Sequence, residues 1–272
     1  MRKILLSLLT VSAVAVVAVV ATGAFFSDTE TSAGNTFVAG SVDLLVDNNC
    51  TYNGQPCPEP TGIETSWDET DLGVQHKFFN FTDVKPGDQG EDTISLHVVD
   101  NDAWACLTID NFTNDDNSCT EPEGDLLDGN DTTCGPNEGE LADNLHFFAW
   151  LDQGTIPGFG DTETDEGDND WQGQATEPML FTNVSGPASD ILDGITYPLA
   201  DSQNPVIDTF LVGSTTYYIG VYWCAGTLGV ADGDLTCDGN GMGNDTQTDS
   251  LTADMTFYAE QWRNNPTFTC ED

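Results

Sequence analysis

Four segments of the chain alternate apolar and polar residues with a period of two, and this pattern constrains the fold most. Apolar residues at every second position share one face of an extended strand. Each segment therefore predicts a half-buried β-strand. The segments are 92–99 with Ile94, Leu96 and Val98, 145–151 with Leu145, Phe147, Ala149 and Leu151, 216–224 with Tyr217, Ile219, Val221 and Trp223, and 251–261 with Leu251, Ala253, Met255, Phe257 and Ala259.

The connections between these segments are rich in Gly, Asp, Asn and Pro, and after residue 24 the best helical candidate is one short turn at 188–192. Strands joined without helices predict an all-β protein, an antiparallel β-sandwich with long acidic loops. About 248 residues follow the first 24, a length that suits one domain. We expect this domain to span 41–272, with insertions near 113–143, 152–178 and 225–250.

The N-terminus has the organisation of a secretory signal peptide. Arg2 and Lys3 precede an apolar run from Ile4 to about Ala21, and the small residues Thr22-Gly23-Ala24 follow. This order predicts export and cleavage after Ala24, so that 1–24 meets the membrane only before cleavage. A retained transmembrane anchor is the alternative, because roughly 20 apolar residues are long enough to span a bilayer.

The chain is strongly acidic, with a formal net charge of −42. Without residues 1–24, which hold two of the 5 basic residues and none of the 47 acidic ones, the charge is 3 minus 47, or −44. Such a charge excludes nucleic acid as a partner and opposes compaction unless salt or divalent cations screen it. Much of the acidity lies in turns, where Asp caps backbone N–H groups.

Eight cysteines follow the signal segment, an even number that favours disulfides in an exported chain. There is no CxxC pair and no nearby histidine, which argues against zinc. We favour the local pairs Cys50 with Cys57, Cys119 with Cys134 and Cys224 with Cys237, which leaves Cys106 with Cys270. Six Asn-x-Ser/Thr sequons are candidates for glycosylation: Asn49, Asn80, Asn111, Asn130, Asn183 and Asn244.

No enzyme motif is present. His76, His97 and His146 fall in or beside predicted strands, and none belongs to an HExxH arrangement. The sequence also lacks a GxSxG elbow, a P-loop and a GxGxxG loop, so it indicates no catalytic residues. A catalytic triad assembled from scattered residues is left open.

One acidic loop, "DTETDEGDNDW" at 161–171, is a candidate calcium site because Ca²⁺ takes closely spaced oxygen ligands on flexible loops. The alternative is a solvated acidic loop, since the glycine falls one place late for an EF-hand and the closing Glu is missing. The segment 231–245 is a weaker candidate of the same kind. The candidate ligands in the first loop are Asp161, Glu163, Asp165, Asp168 and Asp170.

Three segments together resemble the TasA and camelysin family. "GAFFSDTETSAGNTFVAGSVDL" at 23–44 is similar to the family's mature N-terminus, and "FTDVKPGDQGEDTISLHVVDNDAWACLTI" at 81–109 to its Lys-Pro-Gly-Asp turn with two strands. "LTADMTFYAEQWRNN" at 251–265 resembles its closing strand. The three cover a quarter to a third of the chain, and the acidic loops and eight cysteines depart from TasA itself.

The resemblance implies a jelly-roll-like sandwich that is exported by a dedicated signal peptidase and polymerises into extracellular or biofilm-matrix fibres. It also implies that residues 25–40 are donated as a strand to the next subunit, with contacts from Phe25, Phe26, Thr36, Phe37 and Val38. Two alternatives stay open. One is a calcium-binding or adhesive surface protein that does not polymerise, and the other is a camelysin-like metallopeptidase.

Overall fold

The protein is built from antiparallel strands. The computed structural model describes residues 42–121, 123–124, 131–160, 164–180, 185–204, 206–231 and 233–270. These residues form twelve strands and two four-residue helices, which confirms the all-β class. They belong to one compact unit, Gly40–Asp272. The signal segment 1–24 and the donor segment 25–40 lie outside the described residues.

Two sheets make the sandwich. The larger has the order β2-β1-β4-β9-β6-β7, with β3 also paired to β1, and the smaller has the order β12-β5-β8. A separate hairpin is formed by β10 and β11. The strands are β1 (Asp43–Tyr52), β2 (Gln55–Pro56), β3 (Trp67–Thr70), β4 (Gln89–Val99), β5 (Ala103–Asp116), β6 (Leu145–Leu151), β7 (Ser185–Pro187), β8 (Thr196–Ala200), β9 (Thr215–Ala225), β10 (Thr227–Ala231), β11 (Asp234–Asp238) and β12 (Asp249–Gln261).

The helices are short. Helix α1 spans Leu141–Asn144 and helix α2 spans Ala188–Ile191, which confirms the helical turn expected at 188–192. Single 3-10 turns occur at Gly239–Gly241 and Asn244–Thr246. None of the helices in the described part of the chain has the length and apolarity needed to cross a membrane.

The main core lies between the two sheets. Ile94, Leu96 and Val98 of β4 are buried, as the alternation predicts, and they belong to one cluster with Leu107 and Ile109 of β5. Burial of this apolar surface is the main stabilising contribution to the sandwich, at roughly 25 cal/mol per Å².

Three of the four predicted strands, β4, β6 and β9, are buried on both faces over part of their length, so the prediction that they would be half-buried is wrong there. Phe148 and Trp150 of β6 and Tyr222 of β9 point away from the main core, yet they form a second cluster with Trp171. Trp171 comes from the insertion at 152–178. The insertion covers the outer face of the sheet. A period-two pattern within a strand cannot predict burial by residues that are distant in the sequence.

Four disulfides join the cysteines in the pairs favoured from the sequence. They link Cys50 to Cys57, Cys119 to Cys134 and Cys224 to Cys237 over short separations, and Cys106 to Cys270 over 164 residues. The described residues contain no free cysteine. The four bridges are compatible with an extracellular location.

The Lys85-Pro-Gly-Asp88 segment forms the expected turn. Gly87 has a φ of 87°, which favours glycine, and the Asp88 amide donates to the Lys85 carbonyl at 2.9 Å. The Asp88 carboxylate in turn accepts from the Lys85 amide at 2.7 Å and from the Tyr52 hydroxyl. These contacts assign the motif to turn formation.

A carboxyl is buried inside the sandwich in β4. Asp92 is 0% exposed, and its Oδ1 accepts from the Asn48 side chain at 3.0 Å, while Oδ2 has no partner. Burial raises the pKa of Asp92 well above its usual value, and Asn48 opposes this only in part. The folded protein therefore holds a proton here that the unfolded chain releases near pH 4.

We expect Asp92→Asn to raise the melting temperature at pH 8 by several degrees and to change it little at pH 4. The folded pKa is raised, so the wild-type protein loses stability as pH rises above the unfolded pKa, and a neutral amide of the same shape does not. Thermal melts from pH 4 to pH 8 measure this. Asp110→Asn, at an exposed position of β5, is the control, and equal pH profiles for the wild type and Asp92→Asn would contradict the expectation.

Candidate functional site

The smaller sheet ends in a long edge strand. β12 pairs with β5 from Asp249 to Gln261, and in the described part of the chain no strand pairs with its other side. A thirteen-residue edge of this kind presents a row of backbone N–H and C=O groups. Such an edge is a template for another strand.

The inward side chains of β12 are incompletely covered. Ala253, Met255 and Phe257 face the main core, as the alternation predicts, but each is only partly buried. Their neighbours in β5 are buried, with Leu107 and Ile109 at 6% and 3% exposure. The difference arises because β5 has β8 on its other side at residues 105–108, whereas no strand among the described residues lies on the other side of β12. A further strand beside β12 would complete the cover.

A second feature, which we call the acidic centre, lies where β5 ends and β12 begins. It consists of Asp116, Glu123, Asp131, Glu140, Asp245 and Asp249. Ligand oxygens of Asp116, Glu123 and Asp249 lie within 4.8 Å of one another. Three of the six carboxylates are almost fully buried, namely Asp116, Glu123 and Asp131 at 2%, 0% and 8% exposure.

The loop that carries Glu123 and Asp131 is closed at its base. Asp116 and Gly135 exchange two backbone hydrogen bonds, at 3.1 and 3.0 Å, and the Cys119–Cys134 disulfide joins the adjacent residues. Within the loop, the Asp131 amide donates to the Glu123 carbonyl at 3.1 Å. These links hold the two buried carboxylates against the end of β5.

Backbone amides fix one oxygen of several carboxylates in the centre. Glu123 Oε2 accepts from Thr120 N at 2.8 Å, Asp131 Oδ1 from Thr133 N at 2.9 Å, and Asp249 Oδ2 from Glu140 N at 2.7 Å. The second oxygen has no partner. The buried oxygens without a hydrogen bond are Glu123 Oε1, Asp131 Oδ2, Glu140 Oε2, Asp245 Oδ1 and Asp249 Oδ1.

Burial and mutual repulsion change the acidity of these groups. Burial raises the pKa of Glu140 to about 7, and the charges of Asp131 and Asp249 add to the effect. Burial also raises the pKa of Glu123 and of Asp249. Hydrogen bonds from Thr133 lower the pKa of Asp131. The ionised form of the centre therefore needs a positive charge that its own side chains do not supply.

The acidic loop at 161–171 is organised differently. Asp165 Oδ2 accepts from Thr155 N at 3.1 Å, Asp168 Oδ1 accepts from Asp170 N at 3.0 Å, and Asp168 and Asp170 are exposed. Asp161 and Glu163 lie outside the described residues. The described part of this loop uses its carboxylates to cap backbone N–H groups, and its calcium site stays a prediction.

A buried pair of carboxyls anchors the same insertion. Asp152 accepts from the amides of Gly167 and Asn169, and Glu177 accepts from those of Gly154 and Gln172, at distances between 2.6 and 3.0 Å. Burial raises the pKa of both carboxyls, to about 6 for Asp152 and about 8 for Glu177. These contacts fold the insertion over the outer face of the sheet.

The three histidines have different surroundings. His76 stacks on Trp67 and lies 3.5 Å from Glu64, whereas His97 contacts Asp47 at 2.6 Å and Thr216 at 3.0 Å. His146 lies on β6. Among the described residues, no group of three potential ligands with converging atoms contains a histidine.

The described sequons lie at surface or partly covered positions. Asn49 on β1 and Asn111 on β5 are exposed, and Asn80 and Asn244 are partly buried. Asn111 also donates to the Asp254 carboxylate at 2.8 Å. Asn130 and Asn183 lie outside the described residues, and use of any of the six sequons stays a prediction.

The sequence pattern did not indicate the acidic centre. Its members are spread from Asp116 to Asp249, so no local density of carboxylates marks them. One signal was present, because Asp245 is the last residue of the 231–245 segment, the weaker calcium candidate.

No family model and no curated protein matches this chain.

Proposed function

We propose that the protein is a secreted structural subunit of an extracellular filament, such as a biofilm-matrix fibre. In this proposal each subunit donates residues 25–40 as a strand to the next subunit. The observation that carries the proposal is the open edge of β12. This edge offers unpaired backbone groups and half-covered apolar side chains to an incoming strand.

The donor segment suits such an edge. Its apolar residues Phe25, Phe26, Phe37 and Val38 supply side chains for the positions beside Met255 and Phe257, and main-chain hydrogen bonds supply the pairing. Donation from one subunit to the next is a head-to-tail contact, which propagates as a filament instead of closing. The resemblance to the TasA and camelysin family supports the same assembly.

Charge sets a condition for assembly. At −44 per subunit after signal removal, neighbouring subunits repel each other, and the donor segment itself carries Asp28 and Glu30 without a basic residue. Screening shortens the range of this repulsion to about 8 Å at 0.15 M salt. Assembly is therefore expected to need salt or divalent cations.

Electron microscopy of the exported protein, with its N-terminus established by mass spectrometry, is expected to show filaments. A variant that lacks residues 25–40 is expected to stay monomeric, because it has an acceptor edge and no donor. Hydrogen exchange locates the contact. Those amides of β12 that do not bond to β5 should exchange quickly in the monomer and become protected in the filament.

The strand β5 is the internal control for this experiment. Its residues 105–108 lie between β12 and β8, so the amides of these four residues should be protected in both states. Filaments formed by the truncated variant, or filaments in which β12 gains no protection, would contradict strand donation. Monomers at every salt and calcium concentration would contradict the filament itself.

A second candidate function is a calcium-binding or adhesive surface protein that does not polymerise. The acidic centre favours it, because ligand oxygens of Asp116, Glu123 and Asp249 lie within 4.8 Å of one another and no described lysine or arginine forms an ion pair with them. Microscopy separates the two candidates, since only the first yields filaments that depend on residues 25–40.

A further inference from the structure

We infer that the acidic centre is a divalent-cation site with a preference for Ca²⁺, held by Glu123, Asp131 and Asp249 together with Asp116, Glu140 and Asp245. The site does not depend on filament formation. It is formed by the insertion that follows β5 and by the residues that lead into β12.

Two buried carboxylates of the acidic centre are incompletely hydrogen-bonded. Glu123 is 0% exposed and Asp131 is 8% exposed, yet each leaves one carboxylate oxygen without a hydrogen bond. Buried polar atoms in native proteins are almost always satisfied, so an orphaned oxygen needs an explanation, such as a bound proton, a water or an ion. Glu123 and Asp249 each have such an oxygen, and ligand oxygens of these two residues and of Asp116 lie within 4.8 Å of one another, so a single ion is close enough to contact all three residues.

Among the described residues, no lysine or arginine forms an ion pair with the acidic centre. Lys77, Lys85 and Arg263 are the lysine and arginine residues within the described ranges, and of these only Lys85 forms an ion pair, with Asp83. Buried carboxylates that lie this close cannot all be ionised unless a positive charge compensates them. A bound metal ion supplies that charge and uses the free oxygens as ligands.

The chemistry of the ligand atoms indicates which ion the centre would bind. The available ligands are carboxylate oxygens, which suit Ca²⁺ and Mg²⁺, and the nearby Cys119 and Cys134 are bonded to each other and cannot bind zinc. Ca²⁺ accepts six to eight oxygens in irregular geometry, whereas Mg²⁺ requires a regular octahedron and keeps several waters. A centre of many carboxylates on loops fits Ca²⁺ better.

The arrangement of the fixed oxygens agrees with this role. One oxygen each of Glu123, Asp131 and Asp249 is already held by a backbone amide, which restricts the carboxylate and leaves its other oxygen available to an ion. A ligand that is oriented in advance loses less freedom on binding. Because Asp249 is the first residue of β12, the ion would tie the insertion to the start of that strand.

Isothermal titration of the chelator-treated chain with CaCl2 tests the site. We expect saturable binding that is weaker with MgCl2, and a rise in melting temperature on adding Ca²⁺. Glu123→Gln is expected to lower the Ca²⁺ affinity by about tenfold or more, because it removes a charged ligand. In EDTA the same variant should melt no lower than the wild type, since it also removes repulsion.

Two further variants locate the ion. Glu138→Gln removes the same charge from an exposed position of the same insertion and should bind Ca²⁺ like the wild type. The double variant Asp165→Asn, Asp168→Asn tests the loop at 161–171. Binding that is absent in the wild type, unchanged in Glu123→Gln, or lost in the double variant would overturn the inference.

Should Glu123→Gln fail to fold, Asp131→Asn provides the second measurement. It keeps the carbonyl oxygen that accepts from Thr133 and changes only the oxygen without a partner. Hydrogen exchange of residues 117–140 in the wild type, with and without Ca²⁺, gives a readout that needs no variant. Protection of this segment that is independent of Ca²⁺ would count against the site.

Discussion

Replacing Cys106 and Cys270 together by alanine is expected to destabilise the protein by about 5 kcal/mol, the largest effect among its four disulfides. A cross-link stabilises mainly by restricting the unfolded chain, and the effect grows with the logarithm of the loop length. The Cys106–Cys270 bridge closes a separation of 164 residues, whereas Cys50–Cys57 closes one of 7. The same relation gives about 2 kcal/mol for the short bridge.

The long bridge also holds the C-terminal segment in place. Trp104 donates its indole N–H to the Asn265 carbonyl at 2.7 Å, and Ser202 N donates to the Phe268 carbonyl at 3.0 Å. Losing the bridge is expected to loosen these contacts as well. Guanidinium unfolding of the monomeric chain measures the difference, with the Cys50→Ala, Cys57→Ala variant as the control. Equal losses in the two variants would contradict the loop-length argument.

The chain without residues 25–40 is expected to shorten the filaments of the intact protein when the two are mixed. The truncated chain keeps β12 and can therefore accept a donor strand, but it has no strand to pass on. Each incorporated copy ends growth in one direction. Mean filament length, measured by electron microscopy, should fall in inverse proportion to the fraction of truncated chain.

A synthetic peptide of residues 25–40 is expected to block the opposite end, since it occupies β12 and is not joined to a folded domain from which growth can continue. The matched control is the same peptide with Phe26→Asp and Phe37→Asp, which keeps the backbone and removes apolar contacts. Truncated chains that leave the length distribution unchanged would show that β12 is not the acceptor. Equal inhibition by the two peptides would show that the aromatic residues do not contribute.

The four strands marked by alternation are all present in the structure, because each has at least one face against the core. The segment 92–99 lies in β4, 145–151 is β6, 216–224 lies in β9 and 251–261 lies in β12. The disulfide pairs could also be predicted, since three are local and the fourth is what remains.

The sequence did not reveal the second face of β6 and β9. The cover over Trp150 and Tyr222 comes from Trp171 in an insertion, and the contact is long-range. The acidic centre was missed for the same reason, because Asp116 and Asp249 become neighbours only when β5 pairs with β12. The local density of carboxylates predicted a calcium site at 161–171 instead. There Asp165 accepts from the Thr155 amide and Asp168 accepts from the Asp170 amide.

The pairing of β12 with β5 determines how a filament of this kind would carry tension. Load would enter each subunit through β1, which follows the donor segment and pairs with β4 along its whole length, and would leave through β12. When antiparallel strands are pulled along their own axes, many hydrogen bonds must break at once. The contacts between neighbouring strands would therefore resist shear, because their hydrogen bonds could not break one after another. Cys270, which follows β12 and is bonded to Cys106 in β5, would then act as a covalent stop on the sliding of β12 past β5.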